Sequence, residues 1–198
     1  MTQIVRFRLD DAAGAELTGL RERIRAAGLA TPPGPPTVTV AAATSIPAPA
    51  RAALARELAL LTLPSLWLAT LATVPGRPEE LVLAAIVDAE LLAVHAAVHD
   101  ALAGRVRAPV AAYLPGSWLA HCVLAAQRPI QAFGLLHPLR AVRAHVVAVE
   151  IHDYRTGVTA RRSDEAFQVW RDGPAVEAHA GERVRPVASG ASLTDRAT

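Results

Sequence analysis

Seven histidines, one cysteine and no lysine set the chemistry open to this 198-residue chain. His121 stands out by its setting, the β-prone run Trp118-Leu119-Ala120-His121-Cys122-Val123-Leu124-Ala125-Ala126. Alternation along a strand points His121 and Val123 to one face and Cys122 to the other. An imidazole so placed can give or take a proton near neutral pH, whereas Cys122 reads as a small buried hydrophobe and not a nucleophile. His95 and His99 lie four apart on a helical pattern, a spacing that can grip a metal. Leu92 and Leu102 share their face and no third ligand accompanies them, so neither a metal nor a cofactor is expected there. With one cysteine, neither an intramolecular disulfide nor a cysteine-based zinc cluster can form. Thr37 and Thr39 place two hydroxyls on one face of a second β-prone run, but strand propensity alone accounts for them. His137, His145, His152 and His179 have no partner pattern, although His145 or His152 could reach a cleft from a late strand.

The elements that must position these groups follow from periodicity. Ile4 to Leu9 alternates with period two and predicts a strand. Asp10-Asp11 opens a helix with Leu17, Leu20, Ile24 and Ala27 inward, Arg21, Glu22, Arg23 and Arg25 outward, and Gly28 as its stop. A Pro/Gly linker over 31–36 leads to the strand Thr37 to Ala43, and Pro49 to Leu61 predicts a second helix. Leu66 to Val74 predicts a strand ending at the Pro75-Gly76-Arg77-Pro78 turn, and Leu81 to Val87 another. Asp88 then opens a helix packed by Leu92, Val94, Val98 and Leu102 and ended by Gly104. Pro129 to Leu139 predicts a short helix, and Val142 to His152 a strand that turns at residues 154–157 and returns over Val158 to Arg161. Phe167 to Trp170 suits an edge strand, while Gly181 to Thr198 is polar and patternless, as a frayed end would be.

Strand, Asp, helix and Gly thus recur at a shift of about 80 residues. Thr37-Val38-Thr39-Val40-Ala41-Ala42 aligns with His121-Cys122-Val123-Leu124-Ala125-Ala126, each run entered from a Pro-bearing loop. The expected fold is α+β, with two pseudo-symmetric lobes of antiparallel sheet, helices outside and a central cleft. Residues 1–162 form the bilobal domain, with repeats over about 3–62 and 81–140, and 163–198 form a partly flexible C-terminal extension.

In this duplicated setting, Trp118 to Ala125, preceded by Tyr113-Leu114-Pro115-Gly116 and by Leu91 to His99, resembles the second half of a bacterial 2′-5′ RNA ligase-like protein of the 2H phosphoesterase superfamily. The resemblance covers roughly residues 3 to 160. It implies two His-x-Thr or His-x-Ser motifs on facing strands, with the histidines as general acid and base and the hydroxyls on phosphate oxygens. Thr37 stands at the first histidine position and Val123 at the second hydroxyl position, so His121 and Thr39 are what remain. General acid–base help is worth about 10²–10⁴-fold per group. The resemblance therefore implies a slowed phosphodiesterase on a nucleotide or RNA end with a 2′,3′-cyclic phosphate or 2′-5′ linkage. His121 would be catalytic there, with Thr37, Thr39 and Val123 on the substrate side. A non-catalytic cleft for a ligand or partner, or one recruited for chemistry on a non-phosphorylated small molecule, is the alternative.

Composition narrows the classes. All 20 basic residues are Arg against 18 acids, a formal charge of +2, and 43 residues are Ala, so the 52% hydrophobic content overstates the core. Twelve Arg fall in residues 101–198 against eight acids; guanidinium forks there suit phosphates, but also suit a solvated surface. No apolar run approaches the roughly 20 residues of a membrane-spanning helix. Arg6 and Asp10 break any signal-peptide core, so a cytoplasmic protein with no membrane partner is expected.

Overall fold

The computed structural model describes residues 2–162 and 167–171. The elements run β1 (Gln3–Leu9), α1 (Asp11–Ala26), β2 (Thr37–Ser45), α2 (Ala48–Ala59), β3 (Ser65–Val74), β4 (Arg77–Ile86), α3 (Ala89–Leu102), β5 (Arg107–Pro109), a 3-10 turn (Ala111–Tyr113), β6 (His121–Ala125), α4 (Pro129–Leu136), β7 (Val142–Asp153), β8 (Val158–Arg162) and β9 (Phe167–Arg171). The strands follow the order β5-β2-β1-β7-β3-β4-β6, with β8 on β7 and β9 on β8. Every pairing is antiparallel. This is the expected α+β class.

β7 joins the two halves. Val142 to His145 pair with β3, whereas Val146 to Asp153 pair with β1. A bulge where Arg8/Leu9 oppose Ala148/Val146 lets both Val147 and Ala148 turn away from the core. One sheet face buries Val38, Val40, Phe7, Val149, Leu66, Leu68, Leu83 and Leu124 beneath the helices. α1 and α4 pack together and reach β6, β7 and β4, while α2 packs on α3 and α3 on β2. The opposite face carries Arg143, His145 and Val147, all exposed.

Local chemistry explains the boundaries. The Asp10 carboxylate accepts from Ala13 N at 3.0 Å and Asp88 from Leu91 N at 2.8 Å, so each side chain satisfies a donor at its helix start. Gly76, at φ +81, makes the tight turn through which β3 returns directly into β4. β4 therefore begins at Arg77, not at Leu81, its first residues being too charged to read as a strand. α4 stops at Leu136 and not at Leu139, since Pro138 cannot continue a helix and disfavours helical geometry at His137.

Three side chains, Ala27, Arg21 and Leu92, depart from the expected faces. On α1, Ala27 is exposed while Arg21 is buried, 4% exposed, one turn after Leu17. On α3, Leu91 takes the inward place and Leu92 is 51% exposed. The return strand over 158–161 and the edge strand over 167–170 form as expected, as β8 and β9. The frayed end expected over 181–198 lies outside the described residues, as does most of the proposed extension over 163–198. No described helix is long and apolar enough to cross a membrane.

Candidate functional site

β6, at one end of the sheet path, approaches β2, whose outer edge β5 covers only at Ala43 and Ser45, and side chains take up the uncovered edges. Trp118 Nε1 donates to Thr39 O at 2.9 Å, and His99 Nε2 lies 3.2 Å from Val40 O. Across from them, Arg21 donates to Val123 O through Nε at 3.0 Å and Nη2 at 2.7 Å, and through Nη1 to Gly34 O at 3.0 Å. A buried guanidinium with three carbonyl contacts is adequately solvated by the protein. Without such partners these edge carbonyls would be unsatisfied.

His121 opens β6, opposite Ala84 of β4. Its Nδ1 lies 2.6 Å from Leu119 O, and a carbonyl can only accept, so Nδ1 carries the proton and the neutral ring keeps its lone pair on Nε2. Arg77 Nη2 stands 3.5 Å from that Nε2. Burial holds the His121 pKa below the ordinary value; the Leu119 contact opposes this and the Arg77 charge adds to it. Arg77 Nη1 also pairs by charge with Glu80 Oε2 at 2.9 Å, without the alignment of a hydrogen bond. Burial raises the Glu80 pKa and that of the Tyr113 phenol, with the Arg77 charge opposing in each case. One guanidinium therefore links an imidazole, a carboxylate and a phenol.

The other expected residues are placed as follows. Thr37 and Thr39 are half-buried on β2, opposite Arg8 and Arg6 of β1. Arg6 is committed to Glu150, with Nε and Nη2 each 3.0 Å from its Oε2. Val123 shares the His121 face, opposite Val82. Proximity of β2 and β6 brings these residues into one region, yet among the described residues the polar neighbour of His121 Nε2 is Arg77, not a second imidazole or a Thr hydroxyl. Cys122 is fully buried where α1, β2 and β6 meet, and Arg21 Nη2 lies 3.7 Å from its Sγ. Burial pushes its thiol pKa up, which suits a core residue and not a nucleophile.

His95 and His99 form a clamp. The His95 ring stacks on Trp118 at 3.9 Å between centroids, and the His99 ring lies 4.5 Å from it, tilted by 55°. His95 Nε2 lies 3.0 Å from Tyr113 O, so the Nε2–H of each ring serves a backbone carbonyl. Burial and the His99 charge hold the His95 pKa down.

A second locus lies on the open face of β3, β4 and β7, where Trp67 is paired with Arg143 on one side and Ile86 on the other. The Arg143 guanidinium sits 4.4 Å over the Trp67 ring. Opposite Ser65, the exposed His145 has Nδ1 2.9 Å from Ser65 Oγ. His145 N donates to Asp10 Oδ2 at 2.6 Å, the foremost reason that the Asp10 carboxyl titrates below its usual range. Alternation of exposed Ser65 and Trp67 with buried Leu66 and Leu68 is the sequence signal for this face, but its partner strand is 76 residues away and invisible locally.

No family model matches the chain. Among curated proteins, it is similar to the heme oxygenase (mycobilin-producing) of two Mycobacterium tuberculosis strains, CDC 1551 / Oshkosh and ATCC 25618 / H37Rv. Each is 46% identical over 63 residues, which are 32% of this chain and 50% of the relative. The chain spans about half the length of the curated relatives it matches.

These matches overturn the resemblance to the 2H phosphoesterases, because they lie in a different family. The phosphodiesterase reading of the cleft falls with it, as does its alternative of a disarmed or recruited descendant. At His121, Thr37, Thr39 and Val123 the geometry described above is what stands. The misreading has a physical source: threonines at alternate positions and a histidine on a strand are what β-propensity and edge satisfaction supply without any shared ancestry.

Proposed function

We propose that the chain is a heme-handling protein that binds iron porphyrin and takes part in its oxidative turnover. The observation that carries this reading is the 46% identity over 63 residues to the mycobacterial heme oxygenases. Bound heme would supply the iron at which dioxygen is activated.

The chain's own residues have to supply an imidazole with a free nitrogen, apolar surface for the ring and cations for two carboxylates. Arg is the only long cation available, and its fork suits carboxylates. Six of the seven histidines lie among the described residues. His95 and His99 are packed against each other and His95 against Trp118, and His121 is 6% exposed beneath Arg77. His152 is buried edge-on to Tyr154 at 4.9 Å. His137 and His145 are exposed, and His145 is the one set beside Trp67 and Arg143. Among the described residues, that face supplies an imidazole and one cation, Arg143, which lies over the Trp67 ring.

Titration of the full chain with hemin is the test. The expected result is saturable binding with a shifted Soret band, followed by bleaching and a linear tetrapyrrole product when a reductant and dioxygen are added. Absence of any saturable hemin spectrum overturns the proposal.

A further inference from the structure

We propose that α4, with the end of α1 beside it, is a docking surface for an anionic lipid membrane, its apolar side chains entering the interface and Arg side chains meeting the headgroups. The inference is independent of the heme-handling reading. α4 buries Ala132 and Leu136, whereas Ile130 is 87% exposed and Phe133 and Leu135 are each 40% exposed. At about 3.6 residues per turn, Ile130 lies nearly opposite the buried pair, with Phe133 and Leu135 on its two flanks. Gly134, one turn after Ile130, puts no polar side chain among them. The Phe133 ring is stacked on His137, with 5.1 Å between centroids, so packing sets its position. Large apolar side chains grouped on one exposed element mark an interaction site, as scattered ones do not.

Charge selects the occupant. Residues 101–149, which include α4, hold five Arg and neither Asp nor Glu. Arg128 is exposed at the N-cap of α4. At the other end Arg23, exposed in the last turn of α1, donates from Nη2 to Leu135 O at 2.7 Å. Ala126 N donates to Ala30 O at 2.9 Å and ties the start of α4 to the chain that leaves α1. Cations therefore stand at both ends of the apolar helix, and Arg140 follows four residues beyond it. Acids on the elements that touch α4 are mostly turned elsewhere: Asp11 and Glu22 line a groove with Pro35 and Pro36, and Glu80 is paired with Arg77. Glu16 and Glu79 are exposed. Other exposed apolar residues lack this setting, Leu60 lying three residues after Glu57 and Leu92 two after Glu90. Apolar tips between Arg side chains complement the acyl boundary and the headgroups of an anionic bilayer. The contact is peripheral and needs no spanning helix.

Flotation of the full chain with vesicles tests this, using phosphatidylcholine alone and two parts phosphatidylcholine to one part phosphatidylglycerol. The chain should float with the mixed vesicles at low salt, partition at least tenfold better than onto phosphatidylcholine alone, and be released at high salt. Each Arg near such a surface contributes about fivefold. Replacing Arg128→Asn together with Arg140→Gln should therefore lower partition tenfold or more, Asn being chosen because it tolerates the positive φ of 52 at that position. Ile130→Ser with Phe133→Ser should lower it at least as much, with folding checked by circular dichroism, while Leu60→Ser and Leu92→Ser leave it unchanged. The proposal is overturned if the wild-type chain does not float with the mixed vesicles, if it binds both compositions equally, or if the Ile130→Ser, Phe133→Ser chain partitions like the wild type. A loss as large in Leu60→Ser or Leu92→Ser overturns it as well. If the chain ignores vesicles but binds polyglutamate through Arg128 and Arg140, the surface belongs to an acidic protein and the lipid proposal fails.

Discussion

At the residue scale, His121 and His95 make the fold sensitive to acid. Burial lowers both pKa values below the ordinary histidine value of about 6.5, so between that value and their folded values the unfolded chain binds protons that the folded chain does not. Stability then falls as pH drops through that window, by up to about 1.4 kcal/mol per pH unit per group. The Asp10 carboxyl, held low by its backbone donors, loses its contribution only at pH values below the usual carboxylate range. Urea unfolding at pH 7.5 and 5.5 should show a lower midpoint at 5.5, and a His95→Gln variant should show a smaller difference. Equal midpoints at both pH values in the wild-type chain would contradict the assignment. His121 was legible as a strand residue, but its companions were not: Arg77, Glu80 and Tyr113 come from other elements, and no local pattern announces a guanidinium shared by three groups.

At the scale of elements, polar side chains hold the edges of β2 and β6. Arg21 bridges α1, β6 and the linker over 31–36, so Arg21→Met should cost about 2–4 kcal/mol by leaving buried carbonyls unpaired. Trp118→Phe keeps the stack on His95 but removes the donor to Thr39 O, and about 1–3 kcal/mol should go with it. Both losses are read from urea midpoints, and a change under 0.5 kcal/mol in either variant would remove that bridge from the account. Much of this level was readable, because period-two and period-3.6 patterns with Asp caps at Asp10 and Asp88 fix most elements within a few residues. Short, charged or interrupted strands were not: β5 has three residues, Arg107 to Pro109, and β4 starts on Arg77. The Arg21 face was misread because a charge on a helix is ordinarily solvated, and only the free edge of β6 makes its burial favourable.

At the scale of the whole molecule, the α+β architecture and its recurring strand–helix order were legible, whereas the function inferred from that order was not. A duplicated arrangement constrains packing, and function resides in the groups placed upon it. Here the strand pairing sets Trp67, Arg143 and His145 on one face from segments 76 or more residues apart, which no local reading can assemble. The partial identity to the heme oxygenases is what carries the proposed heme-handling reading. The most direct measurement is the equilibrium titration of the full chain with hemin, followed by absorbance. Saturable binding with a shifted Soret band is the result expected, and an unchanged hemin spectrum across the titration would contradict the heme-handling account.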